Sequence, residues 1–456
     1  MHYEKFAGGT VKCIEDEIPF ELPDGWSWER LSNIAAFSSG KTPSTSHREF
    51  WDGSVLWVTS KDMKSKYITS SLLMLSEKGA SQMQLYPSGT ILMVTRSGIL
   101  RHTLPVAILK KDATVNQDIK AICLYDCSLT EWIYSCLKGM EDRLLLRYTK
   151  SGTTVENINF DEFKGVLLPI PPVPEMYHII DRVQGACRAI DVMDEEKTAL
   201  EDLVVNAKGR ILDLAIRGQL VPQNPDDEPA SVLLERIRIE KEELIKQGKV
   251  KRGKHESIIF RGEDNSYYLK QGDHVEVVDS QFLFDLPDGW SWCLLPNIAH
   301  SELGKTLDQA KNTGDLHPYL RSVNIRWDEV DLSNVNQMRF EPEEIERYTI
   351  TKGDLLICEG GDVGRSAIWI SDNDILYQNA LHRVRFWGGI NPRFFMYYMM
   401  FYESKGIIKD ICKGVTIKHL TGNVLNSIPF ALPPLVEQTA IVTRIDEAFN
   451  LLNTTL

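Results

Sequence analysis

An internal repeat places the strongest constraint on what this 456-residue chain can fold into. The heptapeptide LPDGWSW occupies residues 22–28 and recurs at residues 286–292, which is 264 positions later. The same offset relates two tripeptides to two others: Asn33-Ile34-Ala35 to Asn297-Ile298-Ala299, and Gly40-Lys41-Thr42 to Gly304-Lys305-Thr306. Self-similarity at a fixed offset is the mark of a repeated structural unit. The sequence therefore predicts a duplicated module.

The likeness between the two copies is confined to their edges. Lys150-Ser151-Gly152-Thr153-Thr154 matches residues 412–416, and Pro171-Pro172 matches Pro433-Pro434. Between these edges, residues 43–86 bear little resemblance to residues 307–350. A common frame with different interiors favours two similar domains that bind two different targets. Structural divergence without functional meaning is the alternative interpretation.

Each module is predicted to mix strands with helices. Short apolar runs bounded by Gly, Pro and Asn indicate strands. The predicted strands are Val55–Val58, Thr90–Thr95, Val106–Leu109 and Ile119–Leu124 in the first copy, and Leu355–Cys358, Ala367–Ile370 and His382–Phe386 in the second. Helices are predicted to follow them at residues 129–146 and 392–408.

A proline cluster and then a longer helix follow each module. The first helix is predicted over residues 175–217 and would be roughly 65 Å long. Its apolar residues step by 4, 3, 4 and 3 positions, which is the a/d spacing of helices that pair: Leu200, Val204, Ala207, Ile211 and Leu214. The second helix, over residues 434–452, is much shorter. The sustained spacing favours helix-on-helix pairing over a solvent-facing amphipathic helix.

No motif of a catalytic or metal site stands out. A P-loop needs a glycine five residues before its Gly-Lys pair, and those positions are Ala35 and Ala299. The eight cysteines form no CxxC pair, so no metal site is predicted. The net charge of −13 does not decide for or against a nucleic-acid partner, because residues 22–170 hold 17 Lys and Arg against 15 Asp and Glu. No apolar run is long enough to span a membrane.

The sequence resembles the specificity subunit of type I restriction–modification enzymes. The residues that carry the resemblance are LPDGWSW, the Gly-Lys-Thr after it, Ser151–Thr154, the IPPVPE segment at 170–175 and residues 207–235. The resemblance implies an α+β fold of two similar mixed α/β target-recognition domains, held apart by long antiparallel, coiled-coil-like helical spacers. It also implies a non-enzymatic DNA-recognition and scaffold subunit in the cytoplasm. A self-sufficient methyltransferase or nuclease, and a protein-only scaffold with degenerate domains, are the rival hypotheses.

The resemblance divides the chain into six parts. They are an N-terminal segment (1–21), a first recognition domain (22–170), a central helical spacer (171–250), a linker (251–284), a second recognition domain (285–430) and a short helical spacer (431–456). The implied partners are double-stranded DNA, two methyltransferase subunits and restriction/motor subunits. No cofactor is expected in this chain, while S-adenosylmethionine, ATP and Mg²⁺ are expected on the partner subunits.

DNA contacts are expected to mix residues that bind phosphates with residues that read bases. In the first domain the candidate contacts are Lys41, Lys61, Arg96, Lys150 and Thr154; in the second they are Lys305, Arg321, Asn324, Arg365 and Lys418. The five seam residues, Leu200 to Leu214, are the candidate subunit-interface surface.

Overall fold

The computed structural model describes residues 2–6, 8–150, 155–248, 257–279, 282–308, 312–412 and 419–454. The chain divides into two compact units, residues 1–194 and residues 195–456. One helix of 44 residues, which is numbered α6 below, begins in the first unit and ends in the second. Among the described helices, none combines the length and apolar character needed to cross a bilayer.

The first unit is built mainly from short strands. Its strands are β1 (Tyr3–Lys5), β2 (Val11–Cys13), β3 (Ser27–Arg30), β4 (Ala35–Ser39), β5 (Trp51–Val58), β6 (Tyr67–Ile68), β7 (Leu73–Leu75), β8 (Ile91–Val94), β9 (Arg96–Ser97), β10 (Val106–Leu109), β11 (Ala113–Val115), β12 (Ile119–Leu124), β13 (Thr149–Lys150), β14 (Glu156–Ile158) and β15 (Leu167–Ile170). Its helices are α1 (Leu31–Ile34), α2 (Glu77–Ala80), α3 (Thr130–Gly139), α4 (Glu141–Tyr148), α5 (Phe160–Phe163) and the start of α6 (Val173–Ile216).

The second unit repeats this mixture after a further helix and a three-stranded sheet. Its strands are β16 (Ser257–Arg261), β17 (Tyr267–Gln271), β18 (His274–Val277), β19 (Ser291–Leu294), β20 (Ala299–Leu303), β21 (Asp315–Leu320), β22 (Ile325–Arg326), β23 (Glu329–Val330), β24 (Asn336–Phe340), β25 (Thr349–Ile350), β26 (Leu355–Cys358), β27 (Ser366–Ile368), β28 (Ile375–Tyr377), β29 (Leu381–Phe386) and β30 (Pro429–Leu432). Its helices are the end of α6, then α7 (Ala230–Lys246), α8 (Leu295–Ile298), α9 (Pro392–Ser404), α10 (Ile407–Ile411), α11 (Gly422–Ser427) and α12 (Leu435–Asn453).

The two units share one sheet frame. In the first unit the strand order is β4-β12-β8-β10-β6, and in the second it is β20-β29-β26-β27. In both, the strand after the LPDGWSW motif pairs antiparallel with the strand before the proline cluster, β3 with β15 and β19 with β30. The predicted duplication is therefore confirmed at the level of strand pairing, as is the α+β fold with two mixed domains.

The divergent interiors form different second sheets. Residues 51–75 contribute β5 and β7 to a three-stranded sheet with β11, whereas residues 315–350 contribute β21, β24 and β25 to a four-stranded sheet with β28. The predicted strands of the two frame sheets lie within one or two residues of their observed ends, but β4, β6 and β20 were not predicted, and the predicted Val55–Val58 is only the end of β5. The Val, Ile and Leu side chains of the predicted frame strands are buried, which is why they read as continuous apolar runs.

The two predicted mid-domain helices are each broken into two. The helix expected over 129–146 is interrupted at Met140, and α3 and α4 lie on either side of it. The helix expected over 392–408 ends at Ser404, because Gly406 adopts a left-handed conformation with φ +72°. Apolar periodicity continues through both breaks, so the spacing of side chains alone did not reveal them.

Gly40 and Gly304 lie where the chain crosses the end of a neighbouring strand. A Cβ atom on Gly40 would overlap the carbonyl oxygen of Val115, and one on Gly304 would overlap the backbone of Gln378. The next residue donates its amide to the crossed strand in both copies, Lys41 to Val115 over 3.1 Å and Lys305 to Tyr377 over 3.3 Å. The Gly-Lys-Thr motif is thus a tight backbone crossing.

Each LPDGWSW motif is tied to the helix that follows its domain. The indole of Trp26 donates to the carboxylate of Glu175 in α6 over 3.2 Å. In the second unit, the indole of Trp290 donates to Glu437 in α12 over 2.9 Å. Glu175 is exposed, whereas Glu437 is only 5% exposed and also accepts a hydrogen bond from Gln223. Burial raises the pKa of Glu437, against the effect of these two donors.

Within the second unit, the end of α6 packs against α12. Lys208 donates to Asn453 near the end of α12 over 2.6 Å, and Gln223, just beyond α6, reaches Glu437 at its start. Because the contacts move toward the start of α12 as the chain proceeds from α6, the two helices are antiparallel. Of the predicted seam residues, Val204 is buried and Leu200 is exposed, and the other three are half-buried: Ala207, Ile211 and Leu214. Three neighbouring residues of α6 belong to the core of this unit: Leu212, Ala215 and Ile216. The role of the seam residues in binding a partner subunit stays a prediction.

Replacing Gly40 with Ala should destabilise the first unit. The new methyl group would overlap the Val115 carbonyl, and the backbone shift it forces should cost about 1–3 kcal/mol of unfolding free energy. Gly139→Ala is the matched control, since no heavy atom lies within 4 Å of the added carbon, and it should be neutral or stabilising. Calorimetry would compare the two; equal melting temperatures would contradict the crossing.

The stability of the second unit should fall as the pH rises above 4.5, through Glu437. Because the pKa of this carboxyl is raised in the folded state from its ordinary 4.5, its contribution is complete below that pH and is lost as the pH rises through the folded-state pKa. Glu437→Gln should flatten this decline in chemical denaturation across a pH series. Glu175→Gln, at the exposed equivalent position, is the control; parallel curves for all three proteins would rule out the assignment.

Candidate nucleic-acid interface

Three short strands assemble a polar row in the first unit. β14 lies between β13 and β9, and the register places Asn157 opposite Lys150 on one side and opposite Arg96 on the other. Residues that face each other across paired strands project to the same face of a sheet. Lys150, Asn157 and Arg96 are all exposed. The row thus joins two predicted residues, which are 54 positions apart in the sequence, through an asparagine that the sequence analysis missed.

The opposite face of this sheet is anchored by a buried carboxylate. Glu156 is 6% exposed and accepts a hydrogen bond from Nε of Arg101 over 2.8 Å. Ile158, two residues farther on, is buried in the domain core. The alternation of buried, exposed and buried side chains along β14 holds Asn157 toward solvent.

The other predicted residues of the first unit are not on the three strands that form this row. Lys41 is exposed at the Gly-Lys-Thr crossing, where its carbonyl accepts the indole N–H of Trp57 over 3.2 Å. Lys61 is exposed in the turn after β5, and the turn is held by a 2.8 Å hydrogen bond from Thr59 to Asp62. Thr154 lies outside the described residues.

Lys305 is not a surface cation. Its side chain is 6% exposed and pairs with both Glu341 and Glu344. Burial would lower the pKa of Lys305, but the hydrogen bonds to the two carboxylates raise it. The bond to Lys305 lowers the pKa of Glu341 to about 2. Because its charge is matched inside the domain, the structure does not support Lys305 as a DNA contact.

Asn324 is likewise committed to the fold. It is 1% exposed, accepts the backbone amide of Arg321 over 3.0 Å, and donates to the carbonyls of Asp331 and Asn334 over 2.9 and 3.0 Å. The side-chain amide of Asn324 therefore makes its hydrogen bonds within the domain, where they hold the turn at Ser322–Asn324. The structure therefore does not support Asn324 as a DNA contact. Arg321 is half-buried and donates to the Asn334 side chain over 3.2 Å.

Arg365 lies at the wall of a cleft of about 470 Å³ in the second unit. Its guanidinium pairs with Asp362 and donates to the carbonyl of Ser322 over 3.1 Å, while its Nε is buried and has no hydrogen-bond partner among the described residues. Two further cations and an aromatic ring line the cleft: Arg326, Lys409 and Trp327. Cations beside an aromatic face are typical of surfaces that bind nucleic acid.

The glycine-rich loop at 360–364 shapes this cleft. Gly361 and Gly364 have φ values of +78° and +85°, which side-chain-bearing residues rarely adopt. A Cβ atom on Gly364 would also overlap the side chain of Ile408 on α10. The loop therefore brings Arg365 close to α10 and to Lys409. Lys418, the remaining predicted residue, lies outside the described residues.

Comparison with known proteins decides the family. The family described as "Type I restriction modification DNA specificity domain" matches residues 23–202 and again residues 287–456. The chain belongs to the type I restriction–modification specificity subunit family. The resemblance seen in the sequence is thereby confirmed, with one family domain in each half of the chain.

Similar proteins agree with this assignment. The EcoAI specificity subunit of Escherichia coli is 23% identical over 495 aligned positions, covering 96% of this chain and 80% of that protein. The EcoR124I/EcoR124II specificity subunit of Escherichia coli is 32% identical over 157 residues, which span 34% of this chain and 39% of that protein. These relatives are named specificity subunits and not methyltransferases or nucleases, as the prediction of a non-catalytic subunit requires.

Solved structures agree on the fold. A chain from a study of assembly and conformational transition of the type I R-M system has a TM-score of 0.61 and 16% identity, covering 96% of this chain and 93% of its own. The HsdS subunit of Thermoanaerobacter tengcongensis has a TM-score of 0.50 and 16% identity, covering 96% and 92%.

A single group of donor atoms among the described residues has the spacing to hold a metal ion. His2, Glu15 and Glu21 place one ligand atom each within 4.8 Å of one another. The two carboxylates are exposed, and all three residues lie outside the matched family domains.

Proposed function

We propose that this chain recognises a bipartite DNA sequence, reading one half-site with each specificity domain. The observation that carries the proposal is that one frame, repeated in both halves of the chain, holds two different interiors. The family domain occurs twice, and the frame strands repeat in order, yet residues 43–86 and 307–350 build different second sheets. A protein that read the same half-site twice would need matching interiors.

In the first domain, we propose that the row of Lys150, Asn157 and Arg96 contacts DNA. The two cations at its ends can bind phosphates, which hold a protein in register on the duplex. An asparagine amide offers both a donor and an acceptor, the combination that reads adenine in the major groove. The row is exposed and lies on a sheet whose other face carries the buried Glu156 and Ile158. The amide of Asn157 makes one long hydrogen bond, 3.5 Å to the carbonyl of Val155.

In the second domain, we propose that the cleft between the glycine loop and α10 contacts DNA. Arg326, Arg365 and Lys409 supply positive charge, and Trp327 supplies an aromatic face. Arg326 and Lys409 each have a carboxylate partner 3.8 Å away, Asp331 and Glu403, which is a long distance for an ion pair. Phosphates can replace such weak partners at little cost, because exposed ion pairs contribute about 0–1 kcal/mol.

We further propose that the helical segments dock two methyltransferase subunits and the restriction/motor subunits. S-adenosylmethionine, ATP and Mg²⁺ are then bound by those partners, and methylation or cleavage requires the assembled complex. Family membership supports this arrangement. A self-sufficient methyltransferase or nuclease is not supported, since the relatives are named specificity subunits.

Replacing Arg96 and Lys150 together with Ala should weaken DNA binding in a salt-dependent manner. Each phosphate contact contributes about −0.9 to the slope of log affinity against log salt concentration, so losing two should reduce the slope by about 2. Fluorescence anisotropy on a duplex carrying the modified site, with the chain purified together with its methyltransferase partner, would measure the slope.

The control for this experiment changes the charge by the same amount elsewhere in the first domain. Lys64 and Lys111 are exposed and lie outside the row, and replacing both with Ala should leave the slope nearly unchanged. Equal losses in the two double variants would show that overall charge, and not the row, controls binding. No retention of any specific duplex by the complex would support the protein-only scaffold instead.

Exchanging residues 22–170 for the same domain of a relative should alter one half of the recognised sequence. The other half should persist, because its contacts come from residues 285–430. Sequencing of modified bases in a strain that carries the chimaera would read both halves at once. A chimaera that changed both halves together would show that the two domains recognise DNA as a single unit.

A further inference from the structure

The repeat gives Asn157 of the first domain a counterpart in the second domain. At the offset of 262 that relates the two proline clusters, Asn157 corresponds to His419, and Ile158 corresponds to Leu420. The next frame strands keep this offset, since β15 and β30 differ by 262 positions at both ends. The sequence alignment therefore places His419 and Asn157 at the same position of the frame.

Backbone hydrogen bonds agree with this correspondence. The amide of Ile158 donates to the carbonyl of Thr95 over 2.9 Å, and the amide of Leu420 donates to the carbonyl of Glu359 over 2.8 Å. Thr95 and Glu359 are themselves related by the offset of 264, and each directly follows a frame strand, β8 or β26. The residue before each donor is therefore held at the same place beside the frame sheet.

His419 is held toward solvent by the residue that follows it. Leu420 is fully buried, and its carbonyl accepts a hydrogen bond from Nε2 of the buried His382 over 2.8 Å. His419 itself is exposed, and no residue in the described part of the chain makes a hydrogen bond to its ring. The imidazole is thus presented at the surface, as the amide of Asn157 is in the first domain.

The neighbours of this position differ between the two domains. In the first domain, Asn157 lies between two cations, Lys150 and Arg96. The equivalent residues in the second domain are Cys412, which is buried, and Gly360. The second domain thus has no cation at either of these two positions, and its phosphate contacts must come from elsewhere.

The glycine loop places the imidazole beside the cleft that we propose as the DNA contact of the second domain. A Cβ atom on Gly360 would lie only 3.3 Å from Nδ1 of His419, so the glycine leaves room for the ring. The next residue, Gly361, lines the cleft together with Arg365 and Lys409. These two cations can bind the phosphates on either side of a base that the imidazole contacts.

We propose that His419 reads one guanine of the second half-site, as the counterpart of Asn157; this inference rests on the function proposed above. A neutral imidazole has one N–H donor, and its two nitrogens are separated by Cε1, so only one nitrogen can face a base edge. Guanine presents two adjacent acceptors in the major groove, N7 and O6, whereas adenine places a donor beside its N7. A single donor therefore favours guanine, while the donor and acceptor of an asparagine amide favour adenine. The two domains use one position of the frame to read different bases.

The test exchanges the two side chains in the chain purified with its methyltransferase partner. Competition fluorescence anisotropy would compare duplexes that each differ from the modified site at one base pair. His419→Ala should reduce discrimination at one G·C pair of the second half-site by about tenfold, the usual effect of losing one base contact. His419→Asn should move the preference at that pair to adenine.

The reciprocal variant lies in the other domain, so the result does not depend on the folding of one protein. Asn157→His should move one preference in the first half-site from adenine to guanine, and it should leave the second half-site unchanged. The control is His274→Ala. His274 is also exposed in the second unit, but it lies on β18 and outside the cleft, so every base preference should persist.

Two results for His419→Ala would overturn the inference while the complex still binds a specific duplex. One is an affinity that is unchanged or falls equally for all duplexes, with the same discrimination at every pair. The other is a loss of discrimination at a pair that contains no guanine. Absence of specific binding by the unsubstituted complex would instead contradict the proposed function, and the inference would be overturned with it.

Discussion

A hydrogen bond from an indole to a carboxylate closes each half of this chain, and the recognition frame depends on it. Trp26 and Glu175 are 149 residues apart, and Trp290 and Glu437 are 147 apart. Each bond joins the residue just before β3 or β19 to the helix that leaves the domain, next to the antiparallel pairs β3–β15 and β19–β30. The two ends of every domain are thus held together, and the segment between them can vary without changing where the helix begins.

The indole–carboxylate hydrogen bond lies in two environments, and the contrast shows how burial changes the pKa of the carboxylate. In the second unit the carboxylate is buried and also accepts a hydrogen bond from Gln223, and burial raises its pKa. In the first unit the carboxylate is exposed. Since the heptapeptides are identical, the difference comes entirely from what packs over them. A duplicated sequence therefore need not give a duplicated environment.

The frame could be predicted from the sequence, but the polar surface could not. Frame strands such as β8 and β26 are buried runs of Ile, Leu, Met and Val, so their composition alone marks them. The burial of Lys305 depends on Glu341 and Glu344, which lie 36 and 39 residues farther along in a segment that has no match in the other module. The row around Asn157 depends on the register of three short strands, which local sequence does not specify. Residues such as Trp327 and Lys409 carried no motif, and only the fold brings them to one cleft.

The glycine crossings at Gly40 and Gly304 have a consequence for how far the segment after each crossing can differ between the two halves of the chain. The strand before each crossing (β4 or β20) and the strand after each divergent interior (β8 or β26) lie two strands apart in one sheet, because both neighbour the same strand, β12 or β29. These two strands are therefore about 10 Å apart, because neighbouring strands in a sheet are about 4.8 Å apart. An interior must therefore span this distance, and it must also pair with a strand that lies beyond it, as β5 does with β11 and β21 does with β28. In the first unit the interior also adds β6 to the edge of the frame sheet, beside β10. The repeated crossing thus fixes where each interior begins in the frame, so that two segments as different as residues 43–86 and 307–350 occupy equivalent places between the same frame strands.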